Sequence, residues 1–464
     1  MKMDRIVDLA EQPMTASERQ AAFWLAGVFS LRMLGLFMIL PVFALHAERL
    51  EGYTPALAGL AIGIYGFSQA MLQIPFGFLS DRYGRKPMIY LGLLIFALGS
   101  VVAAQADSIG GVIVGRILQG GGAVSAAVMA LAADLSREAH RLKVMAGIGV
   151  TIGISFAVSM ILGPLLNGWI GVPGIFWLTA LLALFGMAVV RFRVPDPVSR
   201  RIHRDAEPVA AQFGRVLGDR QLLRLNVGIF ILHLLLTATF VAVPLSLRAA
   251  GLSGDQHWRV YLPALTFSML LMIPGILFAE RHRRLKTVFV GAILTLMLVE
   301  IGLVAGAGSV LEITVLLLGF FTAFNLLEAT LPSLIAKQAP PDAKGTAMGV
   351  YSSSQFFGAF TGGALGGMLN GAFGPQGVFA GAALAALLWL LAAWSMREPP
   401  YLSSYLLPVG VVDEGAAQRL TLRLMEAPGV AEAVVVVDEG VAYLKVDRQT
   451  LDESRLRQLA ADTP

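Results

Sequence analysis

The sequence predicts an all-α polytopic membrane protein, with twelve transmembrane helices in two six-helix pseudo-repeats, followed by a small α+β domain. Three observations predict it. Hydrophobic residues make up 56% of the 464 and charged residues 14%, with a mean hydropathy of +0.72, far from the balance of a soluble globular domain. Apolar runs of about 20 residues, the length a helix needs to cross the hydrocarbon core, recur along the chain. Beyond residue 405 the pattern changes to short strands and helices with many charges.

In order, the spans are expected at 20–46, 54–79, 87–105, 109–134, 143–167, 172–193, 222–248, 258–280, 287–306, 310–336, 344–369 and 375–396. Such uninterrupted runs are too long for barrel strands, so helices must satisfy the backbone inside lipid. The first run exceeds a signal-peptide core and follows a mixed-charge start, so it reads as a retained helix. Ahead of it, "TASE" from Thr15 to Glu18 has capping-box spacing, which either caps a helix start or is a chance match. Cysteine is absent, which excludes disulfides, thiol nucleophiles and thiolate metal sites.

Lys and Arg concentrate in alternate loops. Arg82, Arg85 and Lys86 follow span 2; Arg137, Arg141 and Lys143 follow span 4; Arg281, Arg283, Arg284 and Lys286 follow span 8; Lys337 and Lys344 flank the loop after span 10. Basic loops are retained on the cytoplasmic side, so a multi-pass inner-membrane protein with both termini cytoplasmic is expected. Asp81, inside the dense knot "GFLSDRYGRKP" at 77–87, adds little to orientation and so calls for a structural partner, with Arg85 a candidate counter-charge.

Residues 1–193 form one expected six-helix bundle, 194–221 a cytoplasmic linker rich in Pro, Arg and acids, and 222–397 the second bundle. The halves echo each other. "GPLLNG" at 163–168 recurs as "GGMLNG" at 366–371, and Glu280, Arg281 and Arg284 repeat the spacing of Asp81, Arg82 and Arg85. Such duplication marks transporters whose halves rock about a central site. The last unit, 405–464, reads as βαββα: strand 406–412, helix 414–426, strand 431–437, a turn at Asp438-Glu439-Gly440, strand 441–446 and helix 451–460, most of a ferredoxin-like sandwich. It carries ten acids and six bases from Leu406 onward, so it could dock on the basic cytoplasmic face or simply be well solvated.

The arrangement resembles the major facilitator superfamily, and within it the twelve-helix drug:proton antiporters. "GFLSDRYGRK" is similar to the loop 2–3 signature through Gly77, Asp81, Arg82, Gly84 and Arg85, and "RILQGGGA" to the motif of helix 4 through Arg116, Gln119, Gly120, Gly122 and Ala123. "SMILGPLLNG" looks like the antiporter motif, with Gly163, Pro164 and Gly168 in place but Ser159 and Asn167 where glycines are usual. A facilitator followed by a small ferredoxin-like domain resembles the YajR-type transporters. The resemblance implies alternating-access transport of a small-molecule substrate through the lipid bilayer, driven by protons and needing no cofactor. It also implies that the knot is a latch: Asp81 caps Gly345 to Met348 at the start of helix 11, and Arg85 pairs with Asp134 at the end of helix 4. An Asp134 that merely ends a helix in water is the alternative.

Ionisable residues inside a membrane are costly and therefore candidates for function. Glu328 on span 10 is the candidate for proton coupling, against a buried hydrogen-bonding acid. Arg116 either tunes a neighbour's proton affinity or bonds backbone carbonyls between helices 1 and 4. His233 has an intrinsic pKa suited to switching, or is a packed side chain. Arg32, Tyr65, Gln69, Asn226, Asn325 and Gln355 are candidates for a substrate cavity, with helix–helix hydrogen bonding the alternative for each. Glu300 and Glu312 are given no role. No catalytic triad, His-x-His metal site or nucleotide-binding motif is visible, and nothing indicates a nucleic-acid partner. An exporter of small amphipathic or lipophilic compounds is the expected function. A uniporter or symporter for one metabolite, or a sensor signalling through the C-terminal domain, are the alternatives.

Overall fold

The computed structural model describes residues 13–196, 210–306, 308–396, 398, 402–409, 413–437, 440–447 and 450–461. Its membrane helices are α1 (Ala16–Phe37), α2 (Pro55–Tyr83), α3 (Arg85–Ala104), α4 (Ile109–Asp134), α5 and α6 (together Glu138–Arg193), α7 (Arg220–Ala249), α8 (Trp258–Arg281), α9 (Leu285–Val304), α10 (Val310–Gln338), and α11 and α12 (together Lys344–Trp394). Each joined pair is split by one glycine in the left-handed region, Gly171 at φ 67° and Gly374 at φ 70°, where a side chain would be strained. The two glycines stand 203 positions apart, the same offset as the "GPLLNG" and "GGMLNG" segments, so the duplication extends to how each half turns its helices.

Boundaries depart from expectation where local chemistry intervenes. α1 starts earlier than expected because Thr15 caps it: the Glu18 amide donates to Thr15 Oγ1 at 3.1 Å and the Thr15 amide to Glu18 Oε2 at 2.7 Å. It then breaks over 38–42, around Pro41, and resumes as Phe43–Ala47. α4 breaks at Gly122, between Ile109–Gly121 and Ser125–Asp134. Of the expected linker, 197–209 lies outside the described residues; its end forms a short helix, Phe213–Gly218, and α7 begins inside it at Arg220.

Glycines set the contact between the halves. On α11 they fall into two stripes. A Cβ at Gly358 or Gly362 would lie 2.0 or 2.2 Å from the carbonyl oxygens of Phe230 and Leu234 on α7, while one at Gly363 or Gly367 would strike Gly59, Gly63 or Pro55 backbone on α2. Without side chains there, α11 packs backbone to backbone on a helix of each half. At the end remote from the knot, the Arg248 guanidinium on α7 donates to both oxygens of Glu48 at 2.6 and 2.7 Å, an ion pair that joins the halves.

The C-terminal unit has β1 (Ser403–Pro408), α13 (Glu414–Met425), β2 (Val430–Val436), β3 (Val441–Val446) and α14 (Glu453–Ala461), with sheet order β1-β3-β2 and every neighbour antiparallel. β1 and β2 are therefore parallel with β3 inserted between them, a split βαβ unit. β1 starts three residues before the expected strand, and the expected residues 410–412, 438–439 and 462–464 lie outside those described. The wholly buried β3 packs under α13 and α14 through Leu444, Val446, Leu420, Leu424 and Leu456. Lys445 Nζ donates to the Gln338 carbonyl at the end of α10 (3.2 Å), and Arg283 lies 3.7 Å from Asp447.

Candidate functional site

The knot is built where α2 turns into α3. Gly84 makes that turn at φ 105°, which lets Arg85 begin α3 facing back toward α2. Arg85, 3% exposed, donates to Ser80 Oγ (2.9 Å), to Asp81, and through Nε to Asp134 Oδ2 at 3.1 Å. Asp134 thus does more than end α4 in water: its side chain is fully buried against the guanidinium. Arg82 stacks over the Tyr83 ring, and Gly77 packs on Ala126 of α4. Lys86 bonds the Val194 carbonyl (2.7 Å) and Asp196 (2.9 Å), and its ammonium holds the Asp196 carboxyl below the ordinary carboxylate range. Asp81 meets Arg85, four residues on, in this conformation, where the start of α11 at Gly345–Met348 was its expected partner.

Within the antiporter motif, Gly163 and Ser159 lie against the end of α1. A Cβ at Gly163 would lie 2.5 Å from the Met38 carbonyl, and Ser159, departing from the usual glycine, donates to the Leu34 carbonyl at 3.1 Å. Pro164 is accommodated inside the long helix, and Gly168 approaches Asp255 of the second half.

Polar side chains gather in two clusters, one in each half. In the first half, Arg32 on α1 donates to Tyr65 Oη (2.6 Å) and Gln69 Oε1 (2.5 Å) on α2 and to Ser125 Oγ (3.2 Å) on α4; Gln69 passes on to Gln73 at 3.3 Å. In the second, Gln355 Nε2 on α11 lies 2.8 Å from His233 Nε2 on α7 and 3.2 Å from Glu328 Oε1 on α10, with His233 and Glu328 3.9 Å apart. Glu328 Oε2 has no hydrogen-bond partner among the described residues. Aromatic side chains bridge the clusters: Tyr65 packs on Phe356, beside Gln355, and Phe156 of α5 stacks on Phe324 of α10, which also contacts His233.

Not every candidate joins. Asn325 donates to Ser268 on α8 at 3.1 Å, and Asn226, buried two turns before His233, leaves its Oδ1 unpartnered among the described residues. Arg116 does bond backbone carbonyls, but those of Ala61 (3.3 Å) and Ile62 (3.2 Å) on α2 rather than α1, and among the described residues it pairs with no acid; its third hydrogen bond is to Gln119 at 2.9 Å. Glu300, given no role on sequence, is wholly buried on α9 and accepts from Thr239 Oγ1 at 2.8 Å. Neither residue signals the other in sequence, because the pairing depends on how α7 and α9 are rotated.

The Major Facilitator Superfamily model matches residues 25–279 and 225–409. The chain is 47% identical over 445 residues to inner membrane transport protein YajR of Escherichia coli (strain K12), covering 96% of this chain and 98% of that one. It is 27% identical to multidrug resistance protein MdtH of Aeromonas salmonicida, over 78% of this chain and 91% of the relative. A crystal structure of nucleoside transporter NupG superimposes with a TM-score of 0.66 at 14% identity, over 81% of this chain and 99% of that one.

Proposed function

This chain belongs to the Major Facilitator Superfamily and is a multi-pass transport protein, not an enzyme, and from that premise we propose that it exports small amphipathic or lipophilic compounds across the inner membrane in exchange for protons. Alternating access is the mechanism, with α11 rolling on its two glycine stripes. The observation that carries the reading is Glu328: a carboxyl at the seam of the halves, bonded to Gln355, beside His233, with one oxygen left over. A proton on that buried oxygen neutralises a carboxyl whose side chain is otherwise one-third exposed, and changes what Gln355 and His233 can bond. Because Gln355 rides on α11, protonation is coupled to the helix that touches both halves. The drug-resistance name of the MdtH relative supports efflux.

Both termini are cytoplasmic in this reading, on the positive-inside argument. The knot acts as latch through Asp81, Arg85 and Asp134, and the Glu48–Arg248 pair is the corresponding tie at the other end. Docking of the C-terminal unit on the basic face is supported by the Lys445 and Arg283 contacts.

The test is proton flux in vesicles with a trapped pH indicator, on adding lipophilic cations, anions and neutral compounds, for wild type and Glu328→Gln. Substrate-dependent flux that vanishes in the variant is expected. Wild-type flux that persists in Glu328→Gln removes Glu328 from coupling, and substrate equilibration without any flux makes the protein a uniporter.

A further inference from the structure

Two of the arginines buried in the first half, Arg32 and Arg116, lie against the same aromatic ring. Arg32 is 2% and Arg116 4% exposed, and among the described residues neither forms an ion pair. Their guanidinium carbons lie 5.8 and 5.1 Å from the centre of the same Tyr65 ring, so two positive charges share one low-dielectric region. Buried charge of one sign is costly unless something compensates it. Glu328 is engaged with Gln355 and His233 instead.

The two arginines differ in what they leave open. Arg116 has an acceptor at each nitrogen, Nε, Nη1 and Nη2, two of them backbone carbonyls, so it holds α4 on α2 and contributes its field. Arg32 has a buried Nε with no acceptor, while the adjoining Nη2 is bonded to the neutral oxygens of Tyr65 and Gln69. Nε and Nη2 form the edge of a guanidinium that receives a carboxylate through two parallel hydrogen bonds. Gln69 and Tyr65 occupy half of that edge with weaker, uncharged acceptors.

We infer that the substrate carries an anionic group, a carboxylate or comparable oxyanion, which binds the Nε/Nη2 edge of Arg32 and displaces Gln69, while its apolar body lies on Phe356 and Phe156. The inference rests on the reading of this seam as the substrate site. It narrows amphipathic compounds to amphipathic anions and makes Arg32 the residue that selects the sign of charge.

The test uses three probes on one ring system in nanodiscs: naphthalene-2-carboxylate, naphthalene-2-carboxamide and trimethyl-(2-naphthyl)ammonium. Binding is measured by equilibrium dialysis for wild type, Arg32→Gln and Arg32→Lys, with thermal unfolding followed in parallel. The wild type is expected to prefer the carboxylate. Arg32→Gln should weaken it roughly ten- to hundredfold, the range for a charge-assisted hydrogen bond, and leave the carboxamide unchanged. Arg32→Lys keeps the charge but loses the fork, so it should retain the preference over the ammonium with an intermediate loss; this decides the matter if Arg32→Gln does not fold. Ammonium bound best, no carboxylate binding to wild type, or carboxylate binding indifferent to Arg32→Gln each overturns the inference. Proton flux driven by the carboxylate, compared with Glu328→Gln, separates the two readings: Arg32-dependent binding without flux removes coupling and leaves the anion site standing.

Discussion

Replacing Gly362 on α11 by alanine tests how the halves are held. The added Cβ would sit 2.2 Å from the Leu234 carbonyl oxygen on α7, where ordinary contact begins near 3.4 Å, so the helices must part by about 1 Å. The obstacle is backbone and cannot rotate away. Overpacking of this kind costs about 1–3 kcal/mol, and the better helix propensity of alanine returns about 1 kcal/mol, leaving a net loss of up to about 2 kcal/mol. Gly153 on α5 is the control, because nothing lies within 4 Å of its Cβ position. There the propensity gain of about 1 kcal/mol stands alone, and the substitution should stabilise. The assay is thermal unfolding in detergent and in nanodiscs, read by tryptophan fluorescence. Gln355 lies seven residues before Gly362, on the same α7-facing side of the helix, so separation also lengthens the 2.8 Å contact to His233. Gly362→Ala should therefore lower both the unfolding temperature and substrate-driven proton flux. A Gly362→Ala protein as stable as Gly153→Ala would refute the backbone-to-backbone packing on which the argument stands.

Three further outcomes are expected. Asp134→Asn strips the buried charge partner from Arg85 and should destabilise by about 2–4 kcal/mol, near the range for breaking a buried pair; Asp81→Asn should cost less, since that side chain is 31% exposed, and denaturant unfolding of both variants ranks them. Because the chain has no cysteine, Glu48→Cys with Arg248→Cys gives one defined thiol pair; a short bifunctional thiol reagent should cross-link it and arrest transport, and full transport by the cross-linked protein would show that this end need not open. Lys445→Ala removes the contact to the Gln338 carbonyl, so amide exchange at the end of α10 should quicken, and unchanged exchange there would argue that the C-terminal unit does not steady that helix.

The amino-acid sequence by itself determined the twelve spans, the two halves and the order of elements in the C-terminal unit, because each depends on local hydropathy and periodicity. It also marked Asp81 and Arg85, since a close charged cluster at a membrane boundary is legible without a partner, whereas Asp134, far along the chain, was indicated only by the family resemblance. The turns at Gly171 and Gly374 were visible only as approximate boundaries, since a left-handed glycine looks like any other in a glycine-rich helix. What tertiary structure decided was azimuth. A lone polar residue in an apolar helix says nothing about which neighbour it faces, so Arg116 bonding α2, Glu300 meeting Thr239 and Glu48 meeting Arg248 emerge only once the helices are packed. The same holds for Asp81, whose choice between Arg85 and α11 depends on how the halves are tilted. Packing sets that tilt, and on α11 the packing is set by glycines that let two backbones touch.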